Sequence, residues 1–352
     1  MKRIILISLL LIWQGISVAQ PPENYYGSTD EKYGEELLIE LHNIIKVHTE
    51  LTYSALWTAF YQTDVREDGM VWDMYSTCDF TFGDDQDAGS GGTVECDRYN
   101  REHSFPNSWW GGSTSAAMYT DLFHLYPTDK KVNSVRANYP FGEVSNASYT
   151  SSNGSKLGTS SYSGYNGTVF EPIDQYKGDF ARTYFYMATR YYDVMHTWSF
   201  TVGNNTQFPA YDEWVVNMLL EWHELDPVSE KEINRNNIIF DDYQHNRNPF
   251  IDHPEFAARI WVDNANSSTI QHQQTIRVYP NPASSKIIIS GISGEMVELS
   301  IHNVIGQRVK TFTSISGEFS REVQINDLPN GVYLVRVKGV GFGQTVRLVV
   351  SR

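Results

Sequence analysis

Between Tyr33 and Tyr61 apolar side chains recur every three or four positions: Leu37, Leu38, Leu41, Ile44 and Ile45, then Leu51, Leu56 and Phe60. That is the period of one helix face, so the stretch predicts one or two amphipathic helices. Helical spacing returns from Phe180 to Trp198 and from Trp214 to Trp222, carried largely by aromatic rings. The stripe of Tyr184, Tyr186, Tyr191 and Tyr192 reads as core rather than as a stacking platform. Two stretches lack any period. Residues 83–97, GDDQDAGSGGTVECD, are loop chemistry. The five acids there offer oxygen ligands to calcium, but their spacing misses the EF-hand and its closing Glu, which favours a solvated loop. Residues 145–168, dense in Ser, Gly, Asn and Tyr, read as a long irregular loop.

Beyond residue 265 the period falls to two. Short β-rich runs (Ile287 to Ile289, Val297 to Ile301, Val332 to Val337, Thr345 to Val350) are separated by turn signals such as Pro280-Asn281-Pro282 and Pro329-Asn330-Gly331. The alternation in VYLVRVKG predicts a half-buried strand, and several such strands predict a small C-terminal β-sandwich. The polar stretch over 265–274 is a linker between it and a mixed helical and β domain over 20–264, which makes the fold class α+β. At the other end, Lys2 and Arg3 precede an apolar run from Ile4 to Trp13, followed by the small residues Ser17-Val18-Ala19. That run is about half of the roughly 20 residues a membrane-spanning helix needs, so residues 1–19 read as a cleaved signal peptide and the mature protein as exported and without a membrane span.

Composition adds bounds. A chain of 352 residues with 41% hydrophobic residues, nine Trp, 22 Tyr and 17 Phe buries a sizeable core, which excludes disorder and coiled coil. Cys78 and Cys96, in an exported chain, read as a disulfide whose loop is worth about 3 kcal/mol in the chain-entropy model. The net charge of −15 is unevenly placed: residues 20–264 carry 16 basic and 37 acidic groups, residues 265–352 nine basic and five acidic. Such an acidic body argues against a broad basic face for a polyanion. Any basic strip must be narrow, built from Arg101, Lys130, Lys131, Arg136, Arg182 and Arg247.

Candidate chemistry centres on Arg101-Glu102-His103-Ser104-Phe105-Pro106-Asn107-Ser108-Trp109-Trp110-Gly111. A carboxylate beside an imidazole can hold Mg²⁺ and take a proton from water, the two needs of one-metal phosphodiester hydrolysis; a chance surface pair is the plainer alternative. Downstream, Asp121-Leu122-Phe123-His124-Leu125-Tyr126-Pro127 and Val132-Asn133-Ser134-Val135-Arg136-Ala137-Asn138 add an amide oxygen and a guanidinium. HExxH, GxSxG and P-loop patterns are absent from the sequence, so zinc peptidase, lipase-type and nucleotide-hydrolase readings lack support.

REHSFPNSWWG followed by DLxxLxPxxxxVNxxRxN, then FEP, KGDFAR, DPV and QHNRNPFID, resembles the bacterial endonuclease I family of secreted and periplasmic nucleases over roughly residues 30–262. The resemblance implies a ββα-metal site with Glu102 and Asn133 on one divalent ion, Mg²⁺ with Mn²⁺ or Ca²⁺ as alternatives, and His103 as general base. Arg136, Arg182 and Arg247 are candidates to clamp phosphate, or equally to pair with nearby acids. Two positions depart from the family pattern: His124, where Asn is usual, and His245, where Gly often precedes NRNPF. RVYPNPASSKIIIS, IHNVIGQRVKT and LPNGVYLVRVKG resemble the C-terminal sorting domain of the type IX secretion system over 275–352, the alternative being an appended immunoglobulin-like binding module.

The leading expectation is therefore a secreted or surface-held, monomeric, sequence-non-specific endonuclease. Its substrate is DNA, with RNA in question, and its tail engages the type IX machinery. The rivals are a ribonuclease-preferring enzyme and an inactive extracellular binding protein. An unperturbed His103 would lose activity near pH 6.5 on the acid side.

Overall fold

A computed structural model describes residues 21–262, 277–290, 297–303, 307–315, 320–339 and 342–352. The proposed signal peptide and linker lie outside the described residues. Contacts divide the chain into two units between residues 266 and 267.

In the first unit the opening apolar period becomes two helices, α1 (Gly34–Ile45) and α2 (Ala55–Thr63). Leu37, Leu38, Leu41, Ile45, Leu56 and Phe60 are all buried, while Glu35 and Glu36 in the first turn of α1 sit where the helix dipole favours negative charge. Strand β1 (Tyr99–His103) pairs antiparallel with β2 (Leu125–Asp129), with Glu102 opposite Tyr126 and His103 opposite Leu125. Helix α3 (Lys130–Arg136) follows β2 without a gap because Asp129, the last strand residue, caps it: its Oδ1 accepts from the backbone N–H groups of Lys131 and Val132.

Residues 145–168, expected as an irregular loop, instead build a three-stranded antiparallel sheet of β3 (Val144–Thr150), β4 (Lys156–Ser160) and β5 (Thr168–Glu171), with only the connecting turns over 151–155 and 161–167 outside it. The reason is exposure. β3 has no buried residue, so it shows no apolar alternation; main-chain pairing rather than core burial defines it.

Helix α4 (Lys177–Arg190) is buried along its whole length and forms the axis of the unit. Tyr184, Tyr186 and Tyr191 are core as expected, and Tyr186 and Tyr191 both donate to buried Asp121. Around α4 run α5 (Tyr192–Met195), α6 (Glu213–Leu225), α7 (Glu230–Ile238), α8 (Pro249–Asp252) and α9 (Phe256–Trp261). Ser229 and Glu232 form a capping box at the start of α7, and Asn248 caps α8 with Pro249 at its first position. His245 adopts φ +63°, the left-handed region that favours glycine, and its Nδ1 lies 2.8 Å from the Phe240 carbonyl. That conformation accounts for glycine being the ordinary residue there.

The second unit holds two antiparallel sheets. One orders β10 (Ser320–Gln324), β7 (Lys286–Ser290) and β6 (Arg277–Tyr279); the other orders β12 (Phe342–Val350), β11 (Gly331–Gly339), β8 (Val297–Asn303) and β9 (Arg308–Ile315). Ile287, Ile289 and Val323 of the first sheet share one core with Leu299, Ile301, Val335 and Val337 of the second. In β11, Tyr333, Val335 and Val337 are buried while Leu334 and Arg336 are not, the alternation expected of VYLVRVKG. No helix among the described residues is long and apolar enough to cross a membrane.

Candidate active site

The site is a strand pair and the helix behind it. On a strand alternate residues share a face, so Asn100 and Glu102 point one way while Arg101 and His103 point the other. On α3, Asn133 and Arg136 are three apart and lie on one helix face. The two periods meet: Asn133 Nδ2 donates to Asn100 Oδ1 at 2.8 Å, and Arg136 Nη1 donates to Glu102 Oε1 at 3.0 Å.

Glu102 is buried, and Tyr75 donates to the same Oε1 at 3.0 Å. Burial pushes its carboxyl up, opposed by Arg136 and by the Tyr75 hydrogen bond. Its second oxygen, Oε2, has no hydrogen bond among the described residues, and the Asn133 amide, with its nitrogen given to Asn100, offers its oxygen. A carboxylate and an amide oxygen on one strand–helix unit suit a hard cation that keeps several waters, so the donor set fits a divalent ion of the Mg²⁺ type.

His103 closes β1 on the opposite face, among Tyr53, Trp110, Tyr119 and His124. Its Nε2 lies 3.1 Å from the Tyr119 carbonyl, which can only accept; the proton therefore sits on Nε2 and Nδ1 keeps its lone pair. Burial, then the neighbouring charge of His124, brings the imidazole down to about 3, the Tyr119 carbonyl opposing. His103 is thus neutral at ordinary pH, the form that accepts a proton. His124, the family departure, donates Nε2–H to the Met118 carbonyl at 2.6 Å, one residue before the carbonyl that His103 uses.

The expected basic strip is corrected. Arg182 is buried and gives Nε and Nη2 to the two oxygens of Glu232, and Arg247 is buried and pairs in the same way with Asp252. Neither presents a guanidinium to solvent, because a buried guanidinium needs a carboxylate and each finds one, Arg182 on α7 and Arg247 five residues on. Arg136 is fully buried against Glu102 and the carbonyls of His103 and Ser104, and Lys130 pairs with Asp87 at 2.5 Å. Tyr75, Asn100 and Tyr119 carry no sequence signal of a site role: they arrive from a loop, from the strand itself and from a 3₁₀ turn.

Cys78 and Cys96 form a disulfide. The disulfide ties the end of the 83–97 loop to Cys78, and separately the Cys96 backbone N–H donates to Asp129 Oδ2, the cap of α3, at 2.6 Å. Acids of that loop pair with Arg98 and Lys130 rather than with one another.

A family model described as Endonuclease I matches residues 33–255. The chain belongs to the endonuclease I family. A second model, the secretion system C-terminal sorting domain, matches residues 277–351. This family member is therefore a nuclease with a type IX sorting tail, and it is secreted or displayed at the cell surface. It is 38% identical over 251 residues to a protein named extracellular ribonuclease from Bacillus amyloliquefaciens, covering 70% of this chain and 81% of that one. It is 37% identical over 246 residues to another of the same name from Bacillus subtilis (strain 168), covering 68% and 78%.

Proposed function

We propose that this family member is a divalent-metal-dependent, sequence-non-specific endonuclease that hydrolyses phosphodiester bonds in RNA and DNA. The carrying observation is the β1–β2–α3 unit, on which Glu102 and Asn133 stand on one face of β1 and His103, the strand's last residue, on the other with an accepting Nδ1. In this reading the substrate lies across the end of the strand. His103 Nδ1 takes the proton of the attacking water while the Tyr119 carbonyl holds the ring. Glu102 Oε2 and the Asn133 amide oxygen would hold the ion, and Arg136 and Tyr75 keep the carboxylate oriented through Oε1. The bound ion supplies stabilisation of charge on the transferring phosphoryl group and the leaving 3′ oxygen. Activity on RNA is supported by the name of both relatives, extracellular ribonuclease. In this reading residues 1–19 are removed on export, and 275–352 hand the protein to the type IX machinery.

A gel assay tests it: purified protein with plasmid or structured RNA, in Mg²⁺, Mn²⁺, Ca²⁺ or EDTA, beside His103→Ala. Cleavage that EDTA and His103→Ala both abolish is expected. Intact substrates in every ion, or equal cutting by the variant, would sink the assignment.

A further inference from the structure

Every phosphate contact expected from the sequence at Arg182 or Arg247 is met by an internal carboxylate, which leaves open what holds the polyanion. In this acidic chain Arg136, Arg182, Arg235 and Arg247 each keep a carboxylate oxygen within 3.0 Å. Arg101 does not. Among the described residues no carboxylate pairs with it, although it is only partly exposed. Its guanidinium carbon lies 3.5 Å from the centre of the Tyr53 ring and 4.3 Å from that of Trp57, and Nη1 donates to the Tyr53 carbonyl at 2.6 Å. Those contacts fix the plane of the guanidinium without neutralising its charge.

Its position gives that charge a use. Arg101 and His103 are two apart on β1 and share a face. Both lean on Tyr53, whose ring stacks with the His103 imidazole at 6.2 Å and with Tyr119 at 4.6 Å. A half-buried cation held flat by two rings, beside the imidazole that takes the proton, is placed for a planar bidentate contact with phosphate oxygens. We infer that Arg101, of the residues expected in the basic strip, binds the backbone phosphate of the nucleic acid beside the bond that is cut, in place of the clamp candidates Arg136, Arg182 and Arg247. This rests on the proposed nuclease reading. It also explains how a chain of net charge −15 engages a polyanion: through one oriented cation rather than a basic face.

The test separates binding from cutting. Fluorescence anisotropy in EDTA, where no hydrolysis occurs, measures a labelled single-stranded oligonucleotide on the wild type, Arg101→Met and Arg101→Lys over a range of salt concentrations. Arg101→Met is expected to weaken binding about tenfold and to reduce the slope of log affinity against log salt by roughly one contact. Arg101→Lys, which keeps the stem over Tyr53 and the charge, should retain the slope and recover only part of the affinity. Unchanged affinity in Arg101→Met, weaker binding with an unchanged salt slope, or a wild type that does not bind each overturns the inference. Wild-type protein that binds yet cuts neither RNA nor DNA with Mg²⁺ overturns the nuclease reading and leaves the Arg101 contact standing.

Discussion

The guanidinium of Arg136 meets the carboxylate of Glu102 at 3.0 Å and, with no exposed surface of its own, also donates to the carbonyls of His103 and Ser104. One side chain on α3 thus holds the strand end that carries both the candidate metal ligand and the candidate base. Removing it leaves a buried carboxylate without its countercharge. Arg136→Met is expected to lose roughly 3–5 kcal/mol of stability in urea unfolding. Arg136→Lys should recover little, since one ammonium cannot span the same three acceptors. A loss below about 1 kcal/mol would show that the pair does not secure the strand.

Acid has two separable effects. With His103 brought down to about 3, the acid limb of kcat/KM is expected below pH 5 rather than near 6.5, provided the protein stays folded. Stability responds earlier. Burial lowers His42, His48, His103, His124 and His223, so between the folded and unfolded values the unfolded chain binds more protons. These histidines contribute stability that is lost as pH drops below about 6.5, while Asp73 and Asp226, whose carboxyls burial raises to about 7, contribute in the opposite sense. Initial rates at pH 5, taken beside circular dichroism, check both. An activity midpoint near 6.5 in folded protein would refute the depressed imidazole.

Asn133 is only half-buried, and its interactions are local. Asn133→Ala is expected to weaken Mg²⁺ binding about tenfold or more by calorimetry while shifting Tm by no more than a few degrees. Equal Mg²⁺ affinity in the variant would remove Asn133 from the ligand set.

The disulfide closes a loop spanning 18 positions, and the Cys96 backbone N–H also donates to the cap of α3. The double variant Cys78→Ser, Cys96→Ser is expected to lose about 3 kcal/mol in guanidinium unfolding. A change under 1 kcal/mol would mean that the hydrogen bonds from Cys96 to Asp129 and from Gly92 to Ser134 suffice to hold the loop.

Patterns that follow from burial were legible in the chain. Leu37, Leu38, Leu41 and Ile45 repeat at helical spacing because one face of α1 meets the core, and Tyr333, Val335 and Val337 alternate because one face of β11 does. β3 was illegible for the converse reason: an exposed strand of Ser, Asn and Thr owes its existence to main-chain pairing, which leaves no trace in side-chain polarity. At the site, the motif around Glu102, His103 and Asn133 stood out in the sequence, whereas Tyr75 and Tyr119 did not. Their contributions, a phenol hydroxyl and a backbone carbonyl, depend on where a loop and a turn come to rest.

The sequence by itself determined the two-part plan, the family, the acidic first unit and the residue types available for phosphodiester chemistry. Tertiary structure decided how each charge is used. Arg182 and Arg247 have the same chemistry as Arg101, and their spacing reads equally well as a phosphate clamp. Only the folded chain brings Glu232 to the first and Asp252 to the second, and leaves Arg101 among aromatic rings beside His103. The physical reason is that a guanidinium's function follows from its nearest countercharge and its access to solvent. For Arg182 that countercharge, Glu232, lies 50 positions away in sequence, whereas for Arg247 it is Asp252, five positions on, brought round by the turn into α8.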